Sequence, residues 1–330
     1  MNNFTPLTEP IPISDQNWPE GTLPLVTTRT MTFNHEAYIG ECIEGILKQK
    51  TTFPVQVLIH DDASTDNSIQ ILKEYESKYP GVLTVYYQGK NTYSSPHKHE
   101  MREGFFDLIK GKYIALCEGD DYWIDPMKLQ KQVSFLESNL EYGVVFTDFD
   151  QFFQTSNNFI HSYHKTFKTK IPTGYVFREL LYNNLYVTCT SLYRTETLKN
   201  YNYDFKKEKI STRDICVWLH IAATWKVGYI NESTSVYRVL EKSASHSLNI
   251  EKDIEFRKSG YKISEFYANY YSIKFDKRKK EKEISKSIIK NILHKKKYRL
   301  LINYWKYPSL ILMAFVREIV IKIFSFLFNK

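Results

Sequence analysis

The chain has 330 residues, of which 42% are hydrophobic and 15% aromatic, so it is long and apolar enough to bury a large core. Its net charge of +8 is unevenly distributed, because residues 251–330 hold 20 Lys or Arg against 8 Asp or Glu, whereas residues 1–250 hold 25 against 29. A slightly acidic body with a basic tail argues against an enzyme acting on nucleic acid, whose positive charge should line the working groove.

The four cysteines lie far apart along the chain and form no C-x-x-C pair of the kind that binds zinc or carries redox chemistry. We interpret them as reduced core residues, which predicts a cytoplasmic location. Residues 1–21 are polar and rich in proline, without the cationic start and apolar core of a signal peptide. They are predicted to form an irregular N-terminal arm.

The body begins with an alternation of strand-like and helical segments. A strand over 24–34 is followed by a helix with apolar residues at helical spacing, a strand over 55–60, a helix over about 68–79 and a strand over 82–87. Alternating β and α elements predict an α/β fold with a largely parallel sheet.

Further elements continue this pattern and then depart from it. We predict helical structure over 97–110, a strand over 112–117, a helix after Asp125-Pro126 and a buried strand over 143–147. From about 150 to 240 the alternation weakens into aromatic-rich segments, so mixed or antiparallel strands are expected there, with an apolar helix near 214–224.

Polar clusters follow the first strands of this sheet. Glu118-Gly-Asp120-Asp121 comes directly after one apolar run, Asp61-Asp62-x-Ser64-x-Asp66 follows another, and Thr32-Phe-Asn34 ends the first strand. An isolated acidic loop is often only a solvated turn, and Asp66 alone fits a helix N-cap. Because ligands gather at the carboxyl ends of strands, the repeated pattern instead predicts a site where Mg²⁺ or Mn²⁺ bridges to a diphosphate.

Taken together, the motifs resemble glycosyltransferase family 2 with the GT-A fold over residues 22–247. The resemblance is carried, in the family's order, by Thr32 to His35, Asp61 to Asp66, Gly111 to Trp123, Arg213-Asp214, Tyr237-Arg238 and Ser243-x-Ser245-His246. It implies a Rossmann-like, mostly parallel central sheet flanked by helices, a nucleotide-sugar donor with UDP-sugars favoured, a divalent metal, Mn²⁺ or Mg²⁺, and net inversion at the anomeric carbon.

The resemblance also implies a role for each matching residue. Asp121, Asp120 and His246 would hold the metal, although a histidine in a serine-rich loop is also commonly exposed to solvent. The donor would be bound by Thr32, Asn34, Asp61, Asp62, Glu118, Asp120 and Arg238, with Glu118 at a position that is commonly Asp in the family. Two adjacent carboxylates such as Asp61 and Asp62 repel each other and need a donor or a cation as partner.

An inverting transfer needs a base that takes the proton of the attacking acceptor hydroxyl. The resemblance implies Asp214 for this role, at the start of the apolar helix near 214–224. Asp is also a favoured N-cap residue, and the two roles are compatible.

The C-terminal tail, residues 248–330, is predicted to be helical, basic and amphipathic. Its longest charge-free run, Tyr307–Val316, has 10 residues, and a transmembrane helix needs about 20. Glu318, Lys322, Ser325 and Asn329 form a narrow polar stripe on an otherwise apolar helix. This pattern favours a helix lying on an anionic membrane, with docking on protein as the alternative.

These predictions combine into a cytoplasmic metal-dependent inverting glycosyltransferase, peripheral on the inner face of the cell membrane, with a glycan or lipid-linked acceptor. No nucleic-acid partner is expected. The rival interpretations are a nucleotidyltransferase and a nucleotide-sugar-binding or scaffolding protein without turnover. The nucleotidyltransferase usually carries a Gly-rich phosphate loop near its N-terminus, and residues 28–34 contain no glycine.

Overall fold

A computed structural model of the chain describes residues 3–91, 105–199, 201, 214–240 and 249–316. The strands are β1 (Ile11–Pro12), β2 (Val26–Thr32), β3 (Lys50–Thr51), β4 (Val55–Asp61), β5 (Leu83–Tyr87), β6 (Tyr113–Leu116), β7 (Tyr122–Trp123), β8 (Tyr142–Phe153), β9 (Asn158–Ile160), β10 (Leu192–Arg194) and β11 (Lys226–Val239). The α-helices are α1 (Ile39–Leu47), α2 (Ser68–Lys78), α3 (Lys128–Ser138), α4 (Tyr163–Thr166), α5 (Phe177–Leu180), α6 (Asp214–Ala222), α7 (Ile250–Tyr270) and α8 (Lys277–His294).

The first half of the main sheet is parallel. Strands β5, β4, β2 and β6 lie side by side in that order, and each neighbouring pair is parallel. Both faces of β2, β4 and β6 are mostly buried, as expected for a parallel sheet covered by helices on its two sides. The predicted α/β alternation of this region is therefore confirmed.

The second half of the sheet is mixed, as predicted for the region after residue 150. Strand β10 is antiparallel to both β6 and β8, whereas the long strands β8 and β11 run parallel to each other. Two short strands complete it, with β7 antiparallel to β11 and β9 antiparallel to β8. The acidic loop between β6 and β7 thus connects the parallel half with the mixed half.

Helix α1 fixes this connection because it packs closely on β7. A Cβ atom added to Gly45 of α1 would lie 2.7 Å from the backbone oxygen of Trp123, so only glycine allows the helix to approach so closely. Along its length, α1 buries Ile39, Cys42, Ile43 and Ile46 in the main core. All four cysteines are buried and unbridged, as predicted.

The N-terminal arm is partly ordered by contact with this core. Strand β1 pairs with β3, and the side chain of Ile13 is buried in the core. The arm therefore has an anchoring point that its composition does not reveal.

The chain divides into two compact units, one formed by residues 1–176, 185–203 and 220–239 and the other by 177–184, 204–219 and 240–330. The second unit has its own apolar core, which includes Ile250, Ile288, Ile289, Ile292 and Leu310. Among the described residues, no helix combines the length and the hydropathy required to cross a membrane. Most of the predicted 97–110 helix and the polar stripe over 318–329 lie outside the described residues.

Candidate active site

Three strand ends meet at one edge of the parallel half-sheet. Thr32, the last residue of β2, lies opposite Asp61, the last residue of β4. Beyond the strands, the backbone N–H of Asp62 donates to the carbonyl oxygen of Thr32 at 3.0 Å, and that of Gly119 donates to Met31 at 2.9 Å. The two acidic motifs and the Thr32-Phe-Asn34 loop are therefore neighbours, as predicted.

The loops after β2 and β4 are joined by reciprocal hydrogen bonds. Asn34, which has a positive φ of 54°, accepts the Thr65 backbone N–H on its side-chain oxygen at 2.7 Å, and its own backbone N–H donates to Ser64 Oγ at 2.9 Å. Asp66 accepts the Glu36 backbone N–H at 3.0 Å. These contacts hold both loops in one arrangement at the mouth of the site.

Asp61 shapes its own loop. Its side chain is fully buried, and its two carboxylate oxygens accept hydrogen bonds from the backbone N–H and the hydroxyl of Ser64, at 3.0 and 2.5 Å. Asp62 is also buried, directly beside the end of β2. The structure gives Asp61 a role in holding the loop, and its predicted contact with the base of the donor stays a prediction.

Side chains of the acidic loop alternate in orientation. Glu118 and Asp120 are half-buried, whereas Asp121 is only 3% exposed and accepts the backbone N–H of Arg238 at 2.8 Å. Burial and the neighbouring charge of Asp120 raise the pKa of Asp121 well above its usual range, against the opposing effect of the Arg238 N–H. Of the three acids, Glu118 and Asp120 are the two with exposed surface.

Gly119 allows the acidic loop to lie directly against the loop after β2. A Cβ atom at this position would lie 2.8 Å from Thr32 Oγ1 and 2.8 Å from His35 Nδ1. Both of these polar atoms are buried and have no hydrogen-bond partner within the described part of the chain. Such orphaned atoms beside an acidic loop indicate a place where a polar ligand completes the hydrogen bonding.

His35 belongs to the Thr32–His35 motif, but no function is predicted for it from the motif. Burial lowers its pKa, although the nearby carboxylates of Asp120, Asp66 and Asp61 act in the opposite direction. The imidazole is therefore neutral at pH 7. Its Nδ1 atom lies next to Gly119 of the acidic loop.

The acidic loop has the chemistry that a divalent cation requires. Mg²⁺ is commonly bound by one or two carboxylates together with the phosphates of a substrate, and Glu118 and Asp120 provide such carboxylates at a strand end. No group of three His, Cys, Asp or Glu side chains positioned to hold a metal occurs in the ranges that the structure describes. His246, the predicted histidine ligand, lies outside those ranges.

Arg238 is surrounded by protein groups. It is 5% exposed, and its guanidinium donates from Nε to the backbone oxygen of Asp120 at 2.8 Å, from Nη1 to Gln154 Oε1 at 2.5 Å and from Nη2 to Glu41 Oε2 at 2.5 Å. The rings of Tyr38 and Tyr122 lie within 5.1 Å of its guanidinium carbon. Arg238 thus ties the acidic loop to β8 and α1, and its predicted contact with the diphosphate stays a prediction.

Buried side chains of Cys189, Trp123 and Lys128 form a polar layer next to the acidic loop. The thiol of Cys189 hydrogen-bonds to Asp121, and its backbone oxygen accepts the indole N–H of Trp123 at 2.9 Å. Lys128 Nζ lies 4.3 Å from the Trp123 ring centroid, and burial lowers its pKa to about 7. The sequence does not reveal Lys128 as part of this layer, since a lysine in a predicted amphipathic helix is normally assigned to its solvent face.

The predicted base, Asp214, is the exposed first residue of α6. A carboxylate in the first turn of a helix is stabilised by the helix dipole, and the capping interpretation stays a prediction. Asp214 belongs to the second of the two units, whereas the acidic loop belongs to the first. Its catalytic role stays a prediction.

Comparison with known sequences gives a consistent result. The model of Glycosyl transferase family 2 matches residues 30–201. An uncharacterized protein of Mycobacterium tuberculosis is 41% identical over 117 residues, which is 36% of this chain and 33% of that protein, so the aligned segment covers about a third of either. TuaG of Bacillus subtilis, named for a glycosyltransferase of teichuronic acid biosynthesis, is 26% identical over 67% of this chain and 82% of its own length.

Two solved structures share the architecture. Staphylococcus aureus TarS 1–349 in complex with UDP-GlcNAc has a TM-score of 0.55 and 16% identity, covering 88% of this chain and 79% of TarS 1–349. The mannosyltransferase PcManGT of Pyrobaculum calidifontis, in complex with GDP-Man and Mn²⁺, has a TM-score of 0.54 and 14% identity, covering 100% of this chain and 91% of the other. At such identities the likeness establishes a common fold.

Proposed function

The chain belongs to glycosyltransferase family 2 and has the GT-A fold, and from this premise we propose that it is a metal-dependent inverting enzyme of surface-glycan assembly. As a family member it is a nucleotide-sugar-dependent glycosyltransferase. The observation that carries the proposal is the meeting of three strand ends around Gly119, where the half-buried acids Glu118 and Asp120 lie beside two orphaned polar atoms.

We assign the donor diphosphate and its cation to the acidic loop. Asp120 is the main ligand in this proposal, with Glu118 beside it and His246 as a further candidate. A bound Mn²⁺ or Mg²⁺ would offset the negative charge that develops on the departing diphosphate. Asp121, which the resemblance implied as a metal ligand, is buried and accepts a hydrogen bond from the Arg238 backbone, so its proposed contribution is to fix the loop.

The nucleoside is assigned to the surface formed by Thr32, Asn34, Asp61 and Asp62, with His35 added from the structure. The orphaned hydroxyl of Thr32 and the neutral imidazole of His35 are available to the ribose or base of the donor. A UDP-sugar is the favoured donor, in keeping with the UDP-GlcNAc complex of TarS. The GDP-Man complex of PcManGT makes a GDP-sugar the main competitor.

Asp214 is the proposed base. In an inverting transfer the acceptor oxygen attacks the anomeric carbon while the bond from that carbon to the phosphate oxygen breaks. The acceptor proton passes to the Asp214 carboxylate, and the nucleoside diphosphate leaves with the bonding electron pair. This assignment requires only one ionised carboxylate near the acceptor hydroxyl.

The reaction is tested first by hydrolysis of the donor. The purified protein is incubated with a panel of UDP-, GDP- and dTDP-sugars in the presence of Mn²⁺, Mg²⁺ or EDTA, and release of the nucleoside diphosphate is measured. We expect release from one donor, supported by either metal and abolished by EDTA. If calorimetry shows that one of these donors binds but no nucleoside diphosphate is released from it, even with glycan acceptors added, the result would favour a binding protein.

The nucleotidyltransferase interpretation makes a different prediction about the products. It requires pyrophosphate release from a nucleoside triphosphate and a sugar 1-phosphate, which is measured on the same samples. Pyrophosphate release in place of nucleoside diphosphate release would contradict the proposed function.

The location at an anionic membrane is proposed from the second unit. Within its C-terminal part the side chains of Ile302 and Trp305 are 75% and 77% exposed, and those of Leu312 and Met313 are also exposed. The same segment buries Tyr304 and Leu310 in the core of the unit. Its outer apolar face follows the exposed basic run Lys296, Lys297 and Arg299, the combination expected for binding to anionic lipid.

Membrane binding is tested by flotation with vesicles of phosphatidylcholine, with or without phosphatidylglycerol. The wild-type protein is expected to float with the anionic vesicles, whereas the combined substitution Ile302→Ser, Trp305→Ser, Leu312→Ser should reduce the bound fraction at least about tenfold, because insertion of apolar side chains is lost. Tyr175→Ser, at an exposed aromatic residue of the first unit, is the control. Equal flotation of the triple variant would contradict membrane contact by this face.

A further inference from the structure

Beside the acidic loop, one face of the mixed half-sheet carries a row of aromatic rings. Phe152 of β8 lies opposite Phe159 of β9, and their rings stack with centroids 4.2 Å apart. The ring of Phe159 is in turn parallel to the imidazole of His161, at a centroid distance of 5.4 Å and an angle of 2°. We refer to Phe152, Phe159 and His161 as the aromatic ladder.

The aromatic ladder is continuous with the donor site. Arg238 of β11 lies opposite Phe152 in the strand register, and its guanidinium carbon is 5.4 Å from the Phe152 ring centroid. The same guanidinium donates to the backbone oxygen of Asp120. The ladder therefore leads from the acidic loop, through Arg238, to the edge of the sheet at β9.

A buried carboxylate fixes the outer end of the ladder. Asp150 is 7% exposed; its Oδ2 is 2.5 Å from His161 Nδ1, and its Oδ1 accepts hydrogen bonds from the Ser162 backbone N–H at 2.8 Å and the Ser233 hydroxyl at 2.5 Å. Burial opposes ionisation of Asp150, but the hydrogen bonds from Ser233, Ser162 and His161 outweigh it and lower the pKa. Because Nδ1 of His161 is engaged with Asp150, Nε2 is the ring nitrogen left for a further hydrogen bond.

The fixed imidazole is nevertheless open to solvent. The side chain of His161 is 73% exposed, and Phe159 is 42% exposed. Among the described residues, His161 contacts only Asp150 and the ring of Phe159 through its side chain. A packing role would bury these rings, and the β8–β9 hairpin is already held by the hydrogen bond of the Ser162 backbone N–H to Asp150. Orientation without burial is what a ligand-binding surface requires.

We propose that Phe159 and His161 form a subsite for a pyranose ring of the acceptor glycan. The apolar C–H face of the sugar packs on the exposed ring of Phe159, and a sugar hydroxyl forms a hydrogen bond with Nε2 of His161. Asp150 is a positioning residue that sets the orientation of the imidazole. The inference rests on the proposed function, because only a glycosyltransferase with its donor at the acidic loop would place an acceptor sugar along the adjoining ladder.

The subsite is tested by direct binding of simple sugars to the full chain. Saturation-transfer NMR is recorded with the methyl glycosides of glucose, galactose, mannose and N-acetylglucosamine, in the presence of UDP and Mg²⁺. The wild-type protein is expected to transfer saturation to at least one of them, and Phe159→Ala and His161→Ala should weaken that binding about fivefold to tenfold. Phe159→Trp, which keeps an aromatic face, should retain it.

Tyr175→Ala is the matched control, since Tyr175 is also an exposed aromatic residue of the first unit but lies beside Lys226, at the start of β11. It should bind the sugar as the wild type does. The UDP affinity of every variant should stay at the wild-type value. His161→Ala also removes a hydrogen bond to the buried Asp150, so a modest fall in its melting temperature is expected. A purely structural role of His161 would lower the melting temperature but leave sugar binding unchanged.

The outcomes separate this inference from the proposed function. No saturation transfer from the wild type to any glycoside, or unchanged transfer in both Phe159→Ala and His161→Ala, would overturn the subsite even if UDP binds and donor is hydrolysed. Failure of the proposed function is recognised independently, by the absence of metal-dependent donor release and of UDP binding by calorimetry.

Discussion

Replacing Asp120 by Asn is expected to lower metal-dependent donor turnover by about 10²- to 10³-fold, the usual effect of removing one group that stabilises developing charge. Asp120 is a half-buried carboxylate of the acidic loop, and its substitution removes negative charge where the cation and the diphosphate are proposed to bind. The measurement is nucleoside diphosphate release as a function of Mn²⁺ concentration. Both the metal requirement and the maximal rate should change.

Asp214→Asn provides the comparison between loss of the proposed base and loss of the proposed metal ligand. We expect it to lower the rate of transfer to the acceptor by about 10²- to 10⁴-fold, as for loss of a general base, while donor and metal binding persist. Asp15→Asn, at an exposed carboxylate of the first unit, should leave all readouts unchanged. If Asp120→Asn keeps the wild-type metal dependence, the assignment of the cation to the acidic loop is wrong.

Arg238→Met is expected to destabilise the first unit by about 3 kcal/mol, because the remaining groups lose a buried, hydrogen-bonded charge. The substitution keeps much of the aliphatic volume but leaves Gln154 and the Asp120 carbonyl without their donor. The contribution of Glu41 is smaller, since its side chain is 52% exposed and its ion pair is screened by water. Scanning calorimetry should record a melting temperature about 6 to 12 °C lower.

Two further variants identify the cause of that loss. Arg238→Lys retains the charge but not the planar fork of donors, so it should recover only part of the stability. Lys48→Met removes the exposed ion pair between Lys48 and Glu44 at the end of α1. It should shift the melting temperature little. A wild-type melting temperature for Arg238→Met would mean that the contacts of Arg238 do not hold the acidic loop in place.

The parallel half of the fold was predictable because its strands are short apolar runs with polar residues at their carboxyl ends. Leu129, Val133 and Leu136 recur in α3 at helical spacing, and all three are buried. Strand β11 was not predicted, since its middle residues Asn231 to Ser235 are polar and its pairing with β8 contains register shifts. Its length depends on the neighbouring strand more than on its own sequence.

The candidate site was predictable by residue type but not by orientation. Successive side chains at a strand end point to different sides, yet only the structure shows that Asp121, and not Asp120, faces inward, toward the Arg238 backbone and Cys189. Arg238 contacts groups 84 to 197 residues away in the sequence, and no local pattern encodes such pairing. The Asp150–His161 pair is separated by only 11 residues, and the two acids that follow the predicted strand over 143–147, Asp148 and Asp150, were a usable signal for it.

The reciprocal hydrogen bonds between the loops after β2 and β4 affect the entropy of donor binding. Asn34, Ser64, Thr65 and Asp66 already hold one another through their side chains and backbone in the protein alone. Ordering a loop on binding costs conformational entropy, and that cost is small where the loop is ordered beforehand. More of the contact free energy at the nucleoside end of the donor is then retained as affinity, and the nucleoside diphosphate product benefits equally, which makes its release a candidate for the slow step of turnover.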